Sequence, residues 1–360
     1  MHLVVDSSSF IEADPLGDEL CGHMIRLFEI LEMPIVTLGK LSGESSAKYQ
    51  DDYGECLQGV CNHLNKHGTR EMLYLSHDIP RQDSKLFQVM KDFWTNWDVY
   101  LLGDFISAEL YADATSETTR RQHLILTSAV SLPFEILYTA LHPKFSDVSK
   151  LIVKPLIELK RKQYSREETL QSTLKSDRDL GFVDSKTTIQ IDPSKSRIAL
   201  FVCDVQDRIL KGLSNVSESG VKELVDHIGN CITWAHKTPR IDLVVTAQIP
   251  EKLGPVNSTI LEALKPPPAS GKSTTAVVPK TSFSAGKYLA DYDTVIITGI
   301  ETHICILLTA LELTGNQQAI VVRNAIASST PFDDWIALLR LGKRPNVRVI
   351  ESVDLIEISK

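Results

Sequence analysis

Long apolar runs are missing from this chain. None reaches the roughly 18 residues that a membrane-crossing helix requires, so no membrane partner is expected. Cysteine is scarce. The six in 360 residues stand at positions 21, 56, 61, 203, 231 and 305, and none forms a CxxC pair. A zinc ribbon is thereby excluded. The opening MHLVVDSSSF has neither the basic start and long apolar stretch of a secretory leader nor the arginine-rich character of a transit peptide. Sparse cysteines without a leader point to reduced thiols and a cytoplasmic location. Positive charge is in deficit too, with a net charge of −8. A nucleic-acid binder carries a basic stripe, so no nucleic-acid partner is expected.

What the chain has is an alternation of short apolar runs with amphipathic stretches. RIALFVC (197–203) reads as a strand buried on both faces, and IDLVVT (241–246) as a second. Between them Val221, Leu224, Val225, Ile228 and Ile232 share one helical face. Shorter strands follow at 276–278, 294–298, 319–322 and 347–350, with helices from about Cys305 and over 332–341. Residues 254–274, with three consecutive prolines, read as loop. Strands alternating with helices predict an α/β fold with a mostly parallel sheet.

The first half repeats the pattern more faintly. LVV (3–5) leads into Asp6 as LFVC (200–203) leads into Asp204. LILT followed by SAVSLPFEILYTAL (124–141) resembles TVIIT followed by GIETHICILLTAL (294–311). LIVK (151–154) echoes AIVVR (319–323), and 182–189 echoes 347–355. Internal duplication is the economical explanation. It predicts two tandem three-layer α/β/α domains, at 1–191 and 197–360, joined by a linker at 192–196. The register between 40 and 100 is open, since either MPIVTLGKLSG or REMLYLSHDIP can match RIDLVVTAQIP. The polar stretch 160–178 reads as a surface helix of the first copy. His63, His67 and His77 read as surface histidines.

An open parallel sheet gathers its reacting groups outside the carboxyl ends of its strands. That rule selects Asp204, Gln248, Lys280 and Cys305. Three of them make a nucleophilic site. A free thiol ionises near ~8.5 and is mostly protonated at neutral pH, while the thiolate is the attacking species. An ammonium such as Lys280 favours the thiolate of Cys305. A carboxylate such as Asp204 takes the thiol proton and passes it to a leaving amine. The backbone amides of Ile304 and Cys305, entering a helix, are candidates for an oxyanion hole. Gln206, Gln248, Glu301, Thr302 and His303 are candidates for substrate binding. Gln206 reads equally well as a polar loop residue. Taken singly, a cysteine in an apolar helix is more often a small hydrophobe. Cys203, inside a buried strand, reads as core.

Four stretches carry a family resemblance: ALFVCDVQDRI (199–209), VPKTSFSA (278–285), TGIETHICILLTAL (298–311) and VVRNAIASSTPFDDWIALLRL (321–341). Together they resemble the isochorismatase-like hydrolases, and TAQIPEKLGP (246–255) is similar to the animal isochorismatase domain-containing proteins. The resemblance implies an Asp–Lys–Cys triad at Asp204, Lys280 and Cys305. It also implies a cis peptide near 299–301. Nicotinamidases of this superfamily hold a metal with an Asp-x-His after the second strand. Here Gln248, Ile249 and Pro250 stand there, so no metal and no cofactor are expected. In the first copy the lysine's counterpart falls in VYLLGDFISA, which has none, and the cysteine's at Pro133 or Phe134. That copy reads as a degenerate, inactive pseudo-domain.

Two readings of function follow. The first is a cysteine hydrolase cleaving a C–N bond of a small amide or carbamoyl substrate through a thioester. The second is an inactive binding or scaffold protein that keeps the fold. A redox role for Cys305 needs a resolving cysteine, and none lies near it in sequence. The partner of the first reading is a small molecule. The two halves are expected to form an intrachain pseudo-dimer, with further homo-oligomerisation open.

Overall fold

A computed structural model describes residues 2–6, 15–33, 35–38, 71–75, 98–102, 124–164, 183–184, 188–192, 196–213, 216–266, 275–314 and 316–358. The open register between 40 and 100 falls mostly outside these residues, as do His63, His67, His77 and most of the linker. Contacts divide the chain into two compact units, Met1–Pro133 with Ser146–Leu156, and Phe134–Phe145 with Ile157–Lys360. The division does not follow the expected boundary at 192–196. Among the described residues, no helix is long and apolar enough to cross a membrane.

The first unit is built on a parallel sheet of β1 (His2–Asp6), β2 (Ile35–Leu38), β3 (Glu71–Leu75), β4 (Asp98–Leu102) and β5 (Leu124–Thr127). Their order across the sheet is β2-β1-β3-β4-β5. A helix over Pro15–Ile30 buries Leu20, Met24, Leu27 and Phe28, the stripe expected of one helical face.

The second unit opens its strands with β6 (Val183–Asp184) and β7 (Ile189–Ile191), followed by β8 (Ile198–Cys203), β9 (Ile241–Gln248) and β10 (Val277–Lys280). β11 (Thr294–Ile300), β12 (Gln318–Ala327), β13 (Val347–Ile350) and β14 (Ile356–Ile358) complete the set. Seven of them form a parallel sheet in the order β10-β9-β8-β11-β12-β13-β6. β7 and β14 pair separately. The predicted strands from residue 197 onward are all present. β12 runs longer than predicted because, past a bulge, Ile326 and Ala327 pair with Gly299 and Ile300. The helix Glu218–Lys237 starts where Ser217 Oγ accepts from Gly220 N at 3.1 Å and ends at Thr238, before Pro239. It packs Leu224, Val225, Ile228, Cys231 and Ile232 against the sheet, and each such side chain stabilises the fold by about 1.5–3 kcal/mol. From β8 the chain builds outward to β9 and β10, then returns to lay β11 on the other side of β8. The crevice of such a sheet opens between β8 and β11.

Three expectations are corrected. LIVK (151–154) is not a strand. Residues Ser149–Val153 form a π turn leading into the helix Lys154–Tyr164. Val148, Ile152, Leu156 and Lys160 recur every four residues and are all buried, so the period is helical. Next, 183–184 does not close a sheet of the first half. Val183 and Asp184 pair with Val349 and Ile350 of β13. Finally, Lys160 is not on a surface. It is 1% exposed, with its ammonium 2.6 Å from the buried Asp333 carboxylate and 4.8 Å from the centre of the Phe332 ring. The echo of TVIIT (294–298) in LILT (124–127) also fails in the strand order. In relative chain order β2-β1-β3-β4-β5 runs as β9-β8-β11-β12-β13 does, with β10 and β6 added at the edges of the second sheet. LILT is not placed as TVIIT is, since β11 borders β8 while β5 lies at the far edge from β1.

Candidate active site

The carboxyl ends of β8, β9, β10 and β11 deliver the groups at the switch point. Three of these ends carry non-glycine residues in the left-handed region: Asp204 (φ 51°), Ile249 (φ 37°) and Glu301 (φ 62°). Such conformations cost of order 1–3 kcal/mol each and gather at functional sites. At Asp204 the effect is direct. Side chains alternate along a strand, but the turn at Asp204 lets Cys203 and Asp204 reach the same cluster.

Asp204, Lys280 and Cys305 are brought together, at 1%, 2% and 6% exposure. Lys280 Nζ lies 2.7 Å from Asp204 Oδ2 and 3.6 Å from Cys305 Sγ. It also donates to Gln248 Oε1 (2.6 Å), Phe283 O (2.9 Å) and Ser282 O (3.1 Å). Asp204 Oδ1 accepts from Thr246 Oγ1 at 2.8 Å. Burial alone would lower the Lys280 pKa, but the charges of neighbouring Cys305 and Asp204 outweigh it, and the ammonium is held above its ordinary range.

The glutamines hold the frame. Gln206 is fully buried. Its Nε2 donates to Gly254 O (2.5 Å) and Gln248 O (3.2 Å), and its Oε1 accepts from Gln248 N (2.8 Å). With both hydrogens spent on backbone, Gln206 positions the end of β9. Gln248 in turn bridges Lys280 and Thr281 O (3.1 Å).

After β11, Thr302–Ile306 form a π turn that runs into the helix Leu307–Glu312. π turns occur often at functional sites. Every described peptide bond is trans, so the cis bond expected near 299–301 is absent. Left-handed Glu301 and Gly299 (φ 126°) make the turn instead. A Cβ on Gly299 would stand 2.3 Å from Cys203 O and 2.6 Å from Cys203 N, so only glycine lets β11 approach β8 here. Ile304 N–H donates to Glu301 O at 3.0 Å. Glu301 meets Ser329 Oγ (3.3 Å) and His303 Nδ1 (3.2 Å). Its pKa is raised by burial, against the His303 charge and the Ser329 bonds. Thr302 Oγ1 and the His303 ring nitrogens are buried without an aligned hydrogen bond. His303 thus faces Glu301, not a Cys–His pair.

Sequence reasoning missed three parts of this cluster. Thr246 anchors Asp204, and its one signal is its place beside the strand end. Cys203 is not merely core: its Sγ, Cys305 Sγ and an Asp204 oxygen all lie within 4.8 Å of one another. Two thiols and a carboxylate are a possible metal donor set, but the Lys280 ammonium already sits beside the carboxylate as its cation. The third part is the segment Phe134–Phe145. Ala140 N donates to Thr281 O (3.0 Å), Phe283 N to Tyr138 O (3.0 Å), and Phe134 meets Phe283 edge-on at 5.1 Å. The place expected to hold a dead counterpart of Cys305 braces the loop whose carbonyls hold Lys280.

Residues 198–352 match the family model of the isochorismatase domain. The chain is 31% identical over 147 residues to a secreted isochorismatase effector of Phytophthora sojae, covering 39% of this chain and 67% of that protein. It is 30% identical over 176 residues to isochorismatase family protein 2A of Dictyostelium discoideum, covering 45% and 77%. It is 28% identical over 170 residues to isochorismatase domain-containing protein 1 of Danio rerio, covering 45% and 54%.

Proposed function

The chain belongs to the isochorismatase family, and from that premise we propose that it is a cysteine hydrolase cleaving a C–N bond of a small amide or carbamoyl substrate. Cys305 Sγ attacks the carbonyl carbon. Asp204 takes the thiol proton and returns it to the leaving amine. Lys280 stabilises the thiolate and orients the carboxylate. Water then hydrolyses the thioester. The observation that carries this reading is the buried ammonium of Lys280, 2.7 Å from Asp204 and 3.6 Å from Cys305. One buried cation serving both the base and the nucleophile is an expensive arrangement for a mere core.

The developing oxyanion is assigned to the Cys305 and Ile304 amides. Engaging Ile304 requires it to share or release its bond to Glu301 O. Glu301, Thr302 and His303 line the substrate side, where the Thr302 hydroxyl and His303 Nε2, buried without a hydrogen bond, would find partners. Gln206 and Gln248 are positioning residues. We assign the chemistry to residues 197–360, since the sequence of 1–191 offers no lysine in VYLLGDFISA and no cysteine at Pro133 or Phe134 to match Lys280 and Cys305.

The test is ammonia release by the full chain from a panel of small primary amides and carbamoyl compounds. At least one should turn over, with Cys305→Ala and Asp204→Asn slower by at least ~100-fold. An intact-mass shift equal to the acyl group should appear on Cys305. A substrate turned over equally by Cys305→Ala would sink the reading. Inactivity across the panel, together with an unreactive Cys305, would favour the binding or scaffold alternative.

A further inference from the structure

The mechanism above leaves one buried polarisable group unused. Cys203 closes β8 with no solvent exposure, where an aliphatic side chain would fill the space as well. Its Sγ lies within 4.8 Å of Cys305 Sγ. It also donates to Asp204 Oδ2 at 3.6 Å. Two features fix it there. The left-handed turn at Asp204 brings neighbouring side chains to one cluster, and Gly299 packs against the Cys203 backbone. The resolving cysteine that the sequence places about a hundred residues from Cys305 is its neighbour in space.

We propose that Cys203 and Cys305 form a reversible disulfide that switches the site off when a hydroperoxide reaches it. The Cys305 thiolate attacks the terminal oxygen of the hydroperoxide. The O–O bond breaks, leaving a Cys305 sulfenic acid and releasing the alkoxide or hydroxide, which is protonated to the alcohol or water. Cys203 then passes its proton to Asp204 and attacks the Cys305 sulfur. An S–S bond forms and the S–O bond breaks. Hydroxide leaves with the proton from Asp204, as water. In sum, two thiols are oxidised by two electrons and one hydroperoxide is reduced to alcohol and water. A dithiol reverses the step by exchange. A disulfide needs its sulfurs about 2 Å apart, so both side chains rotate toward each other across the gap. Oxidation consumes the nucleophile and protects it from irreversible sulfinic acid. Burial, the Cys305 contact and the Asp204 charge hold the Cys203 thiol protonated at rest, so Cys305 is the sulfur that reacts first.

The proposal rests on the reading of Cys305 as a reactive thiolate. The test treats the reduced full chain with hydrogen peroxide, caps free thiols with iodoacetamide and maps peptides without reduction. A 203–305 linked pair should appear and vanish on adding a dithiol. In Cys203→Ser and in Cys203→Ala, Cys305 should instead accumulate as sulfinic acid, several-fold above the wild type. If iodoacetamide labels Cys305 but peroxide gives no linked pair, or Cys305 overoxidises equally with and without Cys203, the switch is overturned and the hydrolase reading stands. If Cys305 resists both reagents, both are overturned.

Discussion

Two cysteines in the same unit behave differently because of what surrounds them. Cys305 has an ammonium at 3.6 Å. Cys231, on the helix Glu218–Lys237, has burial and the Asp354 charge, which push its thiol up to about 12. A thiol in the unfolded chain ionises near ~8.5. Below that pH both states hold the proton, and the buried thiol's contribution is fully present. Between there and about 12 the unfolded chain alone sheds its proton, so stability falls as pH rises, by roughly 1.4 kcal/mol per unit. Thermal unfolding at about pH 7 and about pH 10 should therefore show a steeper loss in the wild type than in Cys231→Ala. Parallel losses would contradict it. That Asp204, Lys280 and Cys305 lie together was legible in sequence because each ends or follows a strand. Cys203 was not, since strand alternation places it on the face opposite Asp204. The left-handed φ that breaks the alternation is a property of the folded turn.

At the scale of elements, β8 and β11 must approach closely for their ends to share one site. Gly299 permits it. In Gly299→Ala the new methyl would meet the Cys203 backbone, which cannot rotate away as a side chain would. The substitution should cost at least ~2 kcal/mol and slow any Cys305-dependent reaction. Unchanged denaturant midpoints would contradict this. The strands from 197 onward were readable because both faces are buried and their runs are continuous, as IALFVC is. LIVK was misread because four apolar-leaning residues fit either period. The stripe that decides it, from Val148 to Lys160, ends in a lysine, which hydropathy counts as surface. The ion pair with Asp333 that lets Lys160 be buried joins residues 173 apart in sequence. No local pattern carries that information.

For the whole molecule, chain order and compactness part company. Phe134–Phe145 and the chain from Ile157 belong to the unit that holds the site, although they precede the linker expected at 192–196. LILT echoes TVIIT as a pattern, yet β11 borders β8 while β5 stands three strands from β1. Short apolar runs ending in an aspartate recur in any parallel α/β sheet, so such echoes specify the class of fold more than its strand order. The family model, at 198–352, covers the better-read half.

The most direct measurement is the rate of iodoacetamide alkylation at each of the six cysteines of the full chain, resolved by mass spectrometry at neutral pH. The site described here predicts that Cys305 reacts first although it is 6% exposed, and that Lys280→Met slows it at least roughly tenfold, the equivalent of ~1.4 kcal/mol of lost charge stabilisation. A Cys305 that reacts no faster than buried Cys231, and at a rate indifferent to Lys280, would contradict the account.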